Sequence, residues 1–293
     1  MTLKPKRVIL LPNISKNIDP ALIESLVKRI RLAGCSVLCR EESYPLMESL
    51  RDSVEFYSDK ELFERGDMIF VLGGDGSIIE AARRCHLSGR NIPIAGINCG
   101  RVGYMAEIEI NELELVDQIL DGKGEIEKRI MLDVAIIRGD TVIHSEIPAL
   151  NEVVLTNGPV PKLLSFELYC NGELAENCYA DGMILSTPTG STAYSLSAGG
   201  PVMDPGMDCI CATPICPQTM TNRPVIFGGD SVLEWRNMVT RSSDTRVYLS
   251  VDSRECFELE KEDAVRITHS ASHTYLIRIK QGGFLRALRR KIT

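Results

Sequence analysis

The sequence predicts an α/β domain built on a parallel sheet, followed by an all-β domain. Up to about residue 125, short apolar runs alternate with stretches whose apolar residues recur at helical spacing, the pattern of βα units around a parallel sheet. From about Ile126 the apolar period changes to two, and the runs are punctuated by Gly139-Asp140, Asn157-Gly158 and Asn171-Gly172. That reads as antiparallel strands joined by turns. The expected boundaries are 1–125 for the first domain, 126–273 for the second and 274–293 for a terminal tail.

Element by element, Val8 to Leu11 is a short buried strand, and Leu22, Ile23, Leu26, Val27 and Ile30 then share one helical face behind Asp19-Pro20. Residues 40–66 are charged and lack clear periodicity, so they are assigned to a lid or loop near the donor site. Residues 67–72 form a buried strand. A helix follows with Ile78, Ile79, Ala82 and Cys85 on one face and Glu80 in its first turn. Residues 92–97 add a strand, and a helix starting near Asn111, with Glu114 at capping-box spacing, closes the domain. In the second domain, residues 131–137, 164–170 and 183–185 read as strands. The last dozen residues place Phe284, Leu285, Leu288 and Ile292 opposite Arg286, Arg289, Arg290 and Lys291, as in a short amphipathic helix with a solvated basic face.

At 293 residues and 44% hydrophobic content the chain can bury a sizeable core. A net charge of −7 argues against binding nucleic acid or anionic membrane through bulk charge. The run after Lys4, Lys6 and Arg7 is too short for a signal-peptide core and no segment reaches the length of a membrane span, so the cytoplasm is the expected compartment. Ten cysteines occur without a CxxC pair. Even the closest group, Cys209, Cys211 and Cys216, is read as reduced thiols and not as a metal site.

Two loops carry chemistry. Gly73-Gly74-Asp75-Gly76-Ser77 lies between an apolar strand and a helix start, where outward-pointing amides make an anion site suited to phosphate. It matches neither the Walker A pattern nor the dinucleotide-binding turn. A carboxylate in such a loop repels phosphate unless it carries a metal, accepts a proton or bonds a ligand hydroxyl, which makes Asp75 the first candidate for chemistry. Residues 181–201 are dense in Ser, Thr and Gly behind the apolar residues Met183, Ile184 and Leu185. Small polar residues of this kind lay amides and hydroxyls against a ligand without steric cost.

These loops, with Asn151-Glu152 between them, resemble the NAD kinase family: Gly73 to Gly76 its GGDG motif, Asn151-Glu152 its Asn-Glu motif, and residues 181–201 its long Ser/Thr/Gly signature. Residues 96–105 are similar to its glycine-arginine loop, and Thr213-Pro214 through Asn222-Arg223-Pro224 to its late Pro-rich stretch. The resemblance implies a GGDG-kinase-like first domain, with a tail that returns to pack on it. It also implies transfer of the γ-phosphoryl group of ATP, or in some members of polyphosphate, to the 2′-hydroxyl of the adenosine ribose of NAD, with a divalent metal, magnesium, on the donor phosphates. Asp75 would then be the general base, flanked by Gly74 and Gly76 in the phosphate loop. Asn151 and Glu152 would bond the acceptor nucleotide, and Asp181 would lie close to the other ribose or the nicotinamide. Thr192, Ala193, Tyr194 and Ser197 would line the pocket with Tyr179, while Lys162 and Arg254 would add positive charge. No protein metal ligand set is assigned. NAD and ATP are the implied partners, together with further copies of the chain in a homodimer or homotetramer. Tyr104 stands where the family often has Phe, Cys99 occupies a variable position, and Arg254 stands near a Gln of some bacterial members. Two alternatives are kept: a related GGDG kinase acting on a lipid or sugar alcohol, and a catalytically silent NAD-binding regulatory protein.

Overall fold

A computed structural model of the chain describes residues 4–16, 18–100, 103–158, 163–219, 221–240 and 246–292. The chain divides into two compact units, Met1–Lys128 with Thr274–Thr293, and Arg129–His273.

The first unit opens with β1 (Arg7–Pro12), α1 (Pro20–Leu32) and β2 (Ser36–Arg40), followed by β3 (Glu55–Tyr57), α2 (Asp59–Arg65) and β4 (Met68–Gly73). Then come α3 (Asp75–Leu87), β5 (Ile94–Asn98), the two-residue β6 (Ile108–Glu109) and α4 (Glu114–Leu120). Strands β3-β2-β1-β4-β5 lie side by side, and each pair is parallel. Helix α1 starts where the sequence says it should: the Asp19 carboxylate accepts from the Ala21 amide at 2.9 Å, Pro20 fills the first turn, and all five predicted apolar residues are buried. They pack into one cluster with Val8, Leu10, Phe70 and Leu72.

Three expectations need correction here. Residues 40–66 are not one loop; they contain β3 and α2, with Leu62 and Phe63 of α2 buried. Three strand residues are too few to show a period, and that hid the element. Helix α3 begins at Asp75, so the acidic residue of its first turn is Asp75 and not Glu80. The capping box after β6 joins Glu109 and Glu112 around a short 3-10 turn, and α4 starts at Glu114, not near Asn111.

The second unit is antiparallel. Its strands are β7 (Glu125–Arg138), β8 (Thr141–Ala149), β9 (Glu152–Thr156), β10 (Leu164–Cys170), β11 (Glu173–Ala180) and β12 (Gly182–Ser186). One helical turn, α5 (Tyr194–Ser197), interrupts the series before β13 (Cys209–Ile215), β14 (Val225–Gly228), β15 (Leu233–Thr240), β16 (Val247–Val251), β17 (Glu255–Leu259) and β18 (Asp263–Arg278). The chain ends in α6 (Gly283–Ile292), where Leu285 is exposed although the helical pattern placed it on the apolar face. The unit boundary falls within β7 and β18.

Six strands run in the order β14-β13-β12-β9-β16-β17, and β11-β10-β15-β18 form a second layer. Both contribute to one core in which Trp235 of β15 is fully buried and its indole N–H points at the Met183 sulfur of β12, 3.4 Å away. Asn171 and Gly172 both have positive φ and make the tight β10/β11 hairpin. Asn157-Gly158 makes no hairpin: β9 pairs with β12 and β16, whereas β10 pairs with β11 and β15. Arg138 clamps the buried Asp263 with two bonds of 2.7 and 3.0 Å. All ten cysteines are free.

Candidate functional site

In the first unit, the strand order β3-β2-β1-β4-β5 reverses direction of growth between β1 and β4. Neighbouring loops part at such a switch point and leave a crevice beyond the carboxyl ends of the strands. The segment after β1 carries Asn13 and Lys16, and the GGDG loop follows β4. The loop is a direct strand-to-helix turn with Gly74 as the N-cap of α3 and no side chain capping it, which leaves the helix end open to an anion. Glycine is required here by crowding: a Cβ on Gly73 would lie 2.3 Å from the Ser77 hydroxyl, which itself takes a 2.9 Å bond from the Asn13 amide. The Lys16 ammonium lies over the same loop, 3.7 Å from where a Cβ on Gly74 would stand and 3.1 Å from one on Gly100.

Asp75 is held by the glycine-arginine loop. One carboxylate oxygen accepts from the Tyr104 amide at 2.8 Å and the other from the Met105 amide at 3.1 Å. The loop can come this close because residue 103 is glycine; a Cβ there would sit 2.1 Å from the Asp75 oxygen. At the end of β5 the side-chain oxygen of the buried Asn98 has no hydrogen-bond partner.

In the second unit, the Asn151-Glu152 turn leads into β9, and β12 brings the Ser/Thr/Gly signature beside it, with Ser186 paired to Glu152. The signature spends most of its hydroxyls on its own fold. Thr187 donates to the Leu150 carbonyl at 2.6 Å and accepts from the Gly190 amide at 3.1 Å. Ser191 donates to the Pro188 carbonyl at 2.6 Å, Ser195 pairs with Thr213 at 3.0 Å, and the buried Arg129 donates to Thr189 at 3.1 Å. Of the predicted lining residues, Thr192 and Ala193 are half-buried, with the Thr192 hydroxyl donating to the Thr189 carbonyl at 3.3 Å, while Tyr194 and Ser197 are exposed. Gly190 is packed so tightly that a Cβ would fall 2.1 Å from the Asn151 carbonyl.

Asn151 and Glu152 are buried, yet the Asn151 side-chain oxygen and one Glu152 carboxylate oxygen have no hydrogen-bond partner. A buried polar atom left unpaired is costly, so two at one turn call for a partner from outside the chain, water or ligand. Burial, and after it the negative Asp252 beside it, pushes the Glu152 carboxyl up to about 8, against the pull of the Tyr194 amide. The Tyr104 hydroxyl is also raised, by burial and then by Asp75.

The structure gathers Asn151, Glu152 and residues 187–197 at one end of β12. Tyr179 and Asp181 lie at the other end, where Gly182 faces Thr156, four residues and thus about 14 Å along the strand. Arg254 is exposed beyond the β16/β17 turn, and Lys162 lies outside the described residues. Sequence reasoning did not assign Lys16, Gly103 or Asp252 to a site. The Asp252-Ser253 pair after an alternating strand was a turn signal, but nothing in it pointed to a segment about a hundred residues earlier.

The first unit thus carries an open helix end beside an oriented carboxylate, as phosphoryl transfer requires, and the second a buried turn with two unpaired side-chain oxygens. Residues 19–123 match the ATP-NAD kinase N-terminal domain and residues 150–279 the ATP-NAD kinase C-terminal domain. The NAD kinase of Thermoanaerobacter sp. (strain X514) is 34% identical over 294 residues, covering 98% of this chain and 99% of that one. That of Trichlorobacter lovleyi is 39% identical over 236 residues, 80% and 81% of the two chains. In fold, the chain is similar to yeast NADH kinase complexed with NADH, with a TM-score of 0.86 at 22% identity over 98% of this chain and 87% of that one. It is also similar to an NAD kinase from Archaeoglobus fulgidus in complex with ATP, with a TM-score of 0.73 at 23% identity over 98% of both chains. The chain belongs to the NAD kinase family.

Proposed function

We propose that this chain transfers the γ-phosphoryl group of ATP to the 2′-hydroxyl of the adenosine ribose of NAD, giving NADP and ADP. The observation that carries the reading is the buried Asn151-Glu152 turn with unpaired acceptor atoms, in a chain that also presents an open GGDG helix end. The family membership and the ATP complex of the Archaeoglobus relative support the donor.

In this mechanism the Gly74-capped end of α3 and the Lys16 ammonium hold the donor phosphates, and Asn151 and Glu152 hold the acceptor nucleotide. Thr192, Ala193, Tyr194 and Ser197 line its pocket; Asp181 and Tyr179 meet its far end, and Lys162 and Arg254 add positive charge. Asp75, oriented by the Tyr104 and Met105 amides, takes the proton of the 2′-hydroxyl. The ribose oxygen forms a bond to the γ-phosphorus as the bond to the β-bridging oxygen breaks, and ADP leaves. Positioning and charge neutralisation are the main demands of this chemistry. Among the described residues no group of three or more His, Cys, Asp or Glu could hold a metal. A magnesium ion on the donor phosphates would draw most of its ligands from water and phosphate, and the Asn98 side-chain oxygen, at the end of the strand beside Gly73, would be the protein oxygen to hold it. Bound there, magnesium would neutralise charge on the β- and γ-phosphates. Among the described residues no helix is long and apolar enough to cross a membrane; a cytoplasmic homodimer or homotetramer completes the reading.

The test is NADP formation by purified protein, read with an NADP-specific dehydrogenase, with NAD, ATP and magnesium each omitted in turn. Formation that needs all three is expected. Formation with polyphosphate alone would replace the donor, and absence of NAD binding in a calorimeter would overturn the acceptor.

A further inference from the structure

The turn between β16 and β17 holds two consecutive non-glycine residues in the left-handed region, Asp252 at φ +49° and Ser253 at φ +54°. The Arg254 amide closes the turn on the Val251 carbonyl at 2.9 Å. Turns of this shape ordinarily take Asn, Asp or Gly, so Asp252 suits its position and Ser253 is the strained residue. Here the turn aims a carboxylate at the Asn151-Glu152 turn. One Asp252 oxygen accepts from the Leu150 amide at 2.8 Å; the other accepts from the amides of Asn151 at 2.8 Å and Glu152 at 3.0 Å. The Asp252 amide in return donates to the Glu152 carbonyl at 3.0 Å.

Leu150, Asn151 and Glu152 are all buried, so three successive amides would be stranded without an acceptor in this place. A neutral side chain offers one carbonyl oxygen at most, and only a carboxylate serves all three with two. With the backbone fixed in this way, the Asn151 and Glu152 side chains stay buried with acceptor atoms open. We propose that Asp252 is the positioning residue of the acceptor half-site: its carboxylate fixes the Leu150 to Glu152 backbone so that Asn151 and Glu152 face the NAD ribose. The inference rests on the reading of those two residues as acceptor contacts.

Charge gives the proposal a readout that a merely structural role would lack. Within this unit, Asp252 is the charged group acting on Glu152, and Arg254 acts on Asp252 in turn. Burial raises both carboxyls, but three amides favour the ionised form of Asp252. Both Asp252 oxygens already accept amide hydrogens, which leaves Glu152 as the carboxyl of the pair with an oxygen open to a proton. Removing the Asp252 charge lowers the pH at which Glu152 ionises.

The experiment measures kcat and KM for NAD and for ATP between pH 6 and 10 in the full chain, for Asp252→Asn, Glu152→Gln, Asn151→Ala and the double variant Asp252→Asn/Ser253→Gly. The double variant relaxes the turn and keeps the measurement possible if Asp252→Asn alone folds poorly. Asp252→Asn should raise the KM for NAD about tenfold while leaving that for ATP within about twofold. It should also move to lower pH the limb of the kcat/KM profile for NAD that Glu152→Gln abolishes. An equal rise in both KM values, or an unmoved limb, would overturn the positioning role. If Glu152→Gln and Asn151→Ala leave the KM for NAD unchanged, the acceptor reading itself falls, and the proposal with it.

Discussion

Asp75 takes both of its hydrogen bonds from backbone amides of the loop that contains Gly103, so its orientation depends on a residue with no side chain. Replacing Asp75 with Asn keeps the size, gives up one of its two amide hydrogen bonds and cannot take a proton. Turnover should fall about 10³-fold with NAD binding within a few-fold, measured by steady-state assay and calorimetry. Gly103→Ala should leave the melting curve near that of the parent while lowering kcat about 10²-fold, because the new Cβ displaces the base. Lys16→Ala should raise the KM for ATP and spare that for NAD, which a two-substrate titration resolves. Asp75 was legible in the sequence because a carboxylate between glycines is chemically odd. Lys16 was not, because a lysine after a short strand carries no local mark of what lies above it.

Among the elements, the strand-loop-helix carrying Asp75 was legible in outline, since an apolar strand, glycines and a 3.6-residue period all agree. The helix begins at Asp75 and not after Ser77 as the sequence alone suggested, and this moves Asp75 from the loop into the first helical turn. The β16/β17 turn agrees with its local sequence except at Ser253, which is held at φ +54°. Ser253→Gly relieves left-handed strain but frees the unfolded chain, so a net gain of about 0.5–1 kcal/mol is expected from chemical denaturation. No gain would mean that the serine side chain offsets the strain. The Ser/Thr/Gly signature read as a ligand-facing surface, yet Thr187, Ser191 and Ser195 turn inward to build it. Composition could not separate hydroxyls that meet a ligand from those that hold the loop.

For the whole molecule, the raised Glu152 carboxyl links stability to pH. Its folded value lies above its unfolded one, so the folded state binds the extra proton between about 4.5 and about 8. Stability contributed by the protonated form is complete below that window and is lost as pH rises through it. Glu152→Gln should therefore raise the melting temperature at pH 8 by roughly 5 °C and change it little at pH 4.5, as followed by calorimetry. A shift of equal size at both pH values would point to packing alone. Asp263 has the opposite sign: burial raises it, but Arg138 prevails and holds it below the usual carboxylate range, so that bond is lost only as the solution turns acid.

By itself the sequence determined the class of each half, the phosphate loop and the family, because periodicity, glycine placement and motif order are local properties of the chain. Tertiary structure decided which polar atoms remain unpaired and what holds them so. The Asp252 carboxylate meets Asn151 and Glu152 only because β9 and β16 are neighbours in one sheet. Hydrogen bonds are satisfied in space, and a partner about a hundred residues away leaves no trace in the spacing of its own neighbours.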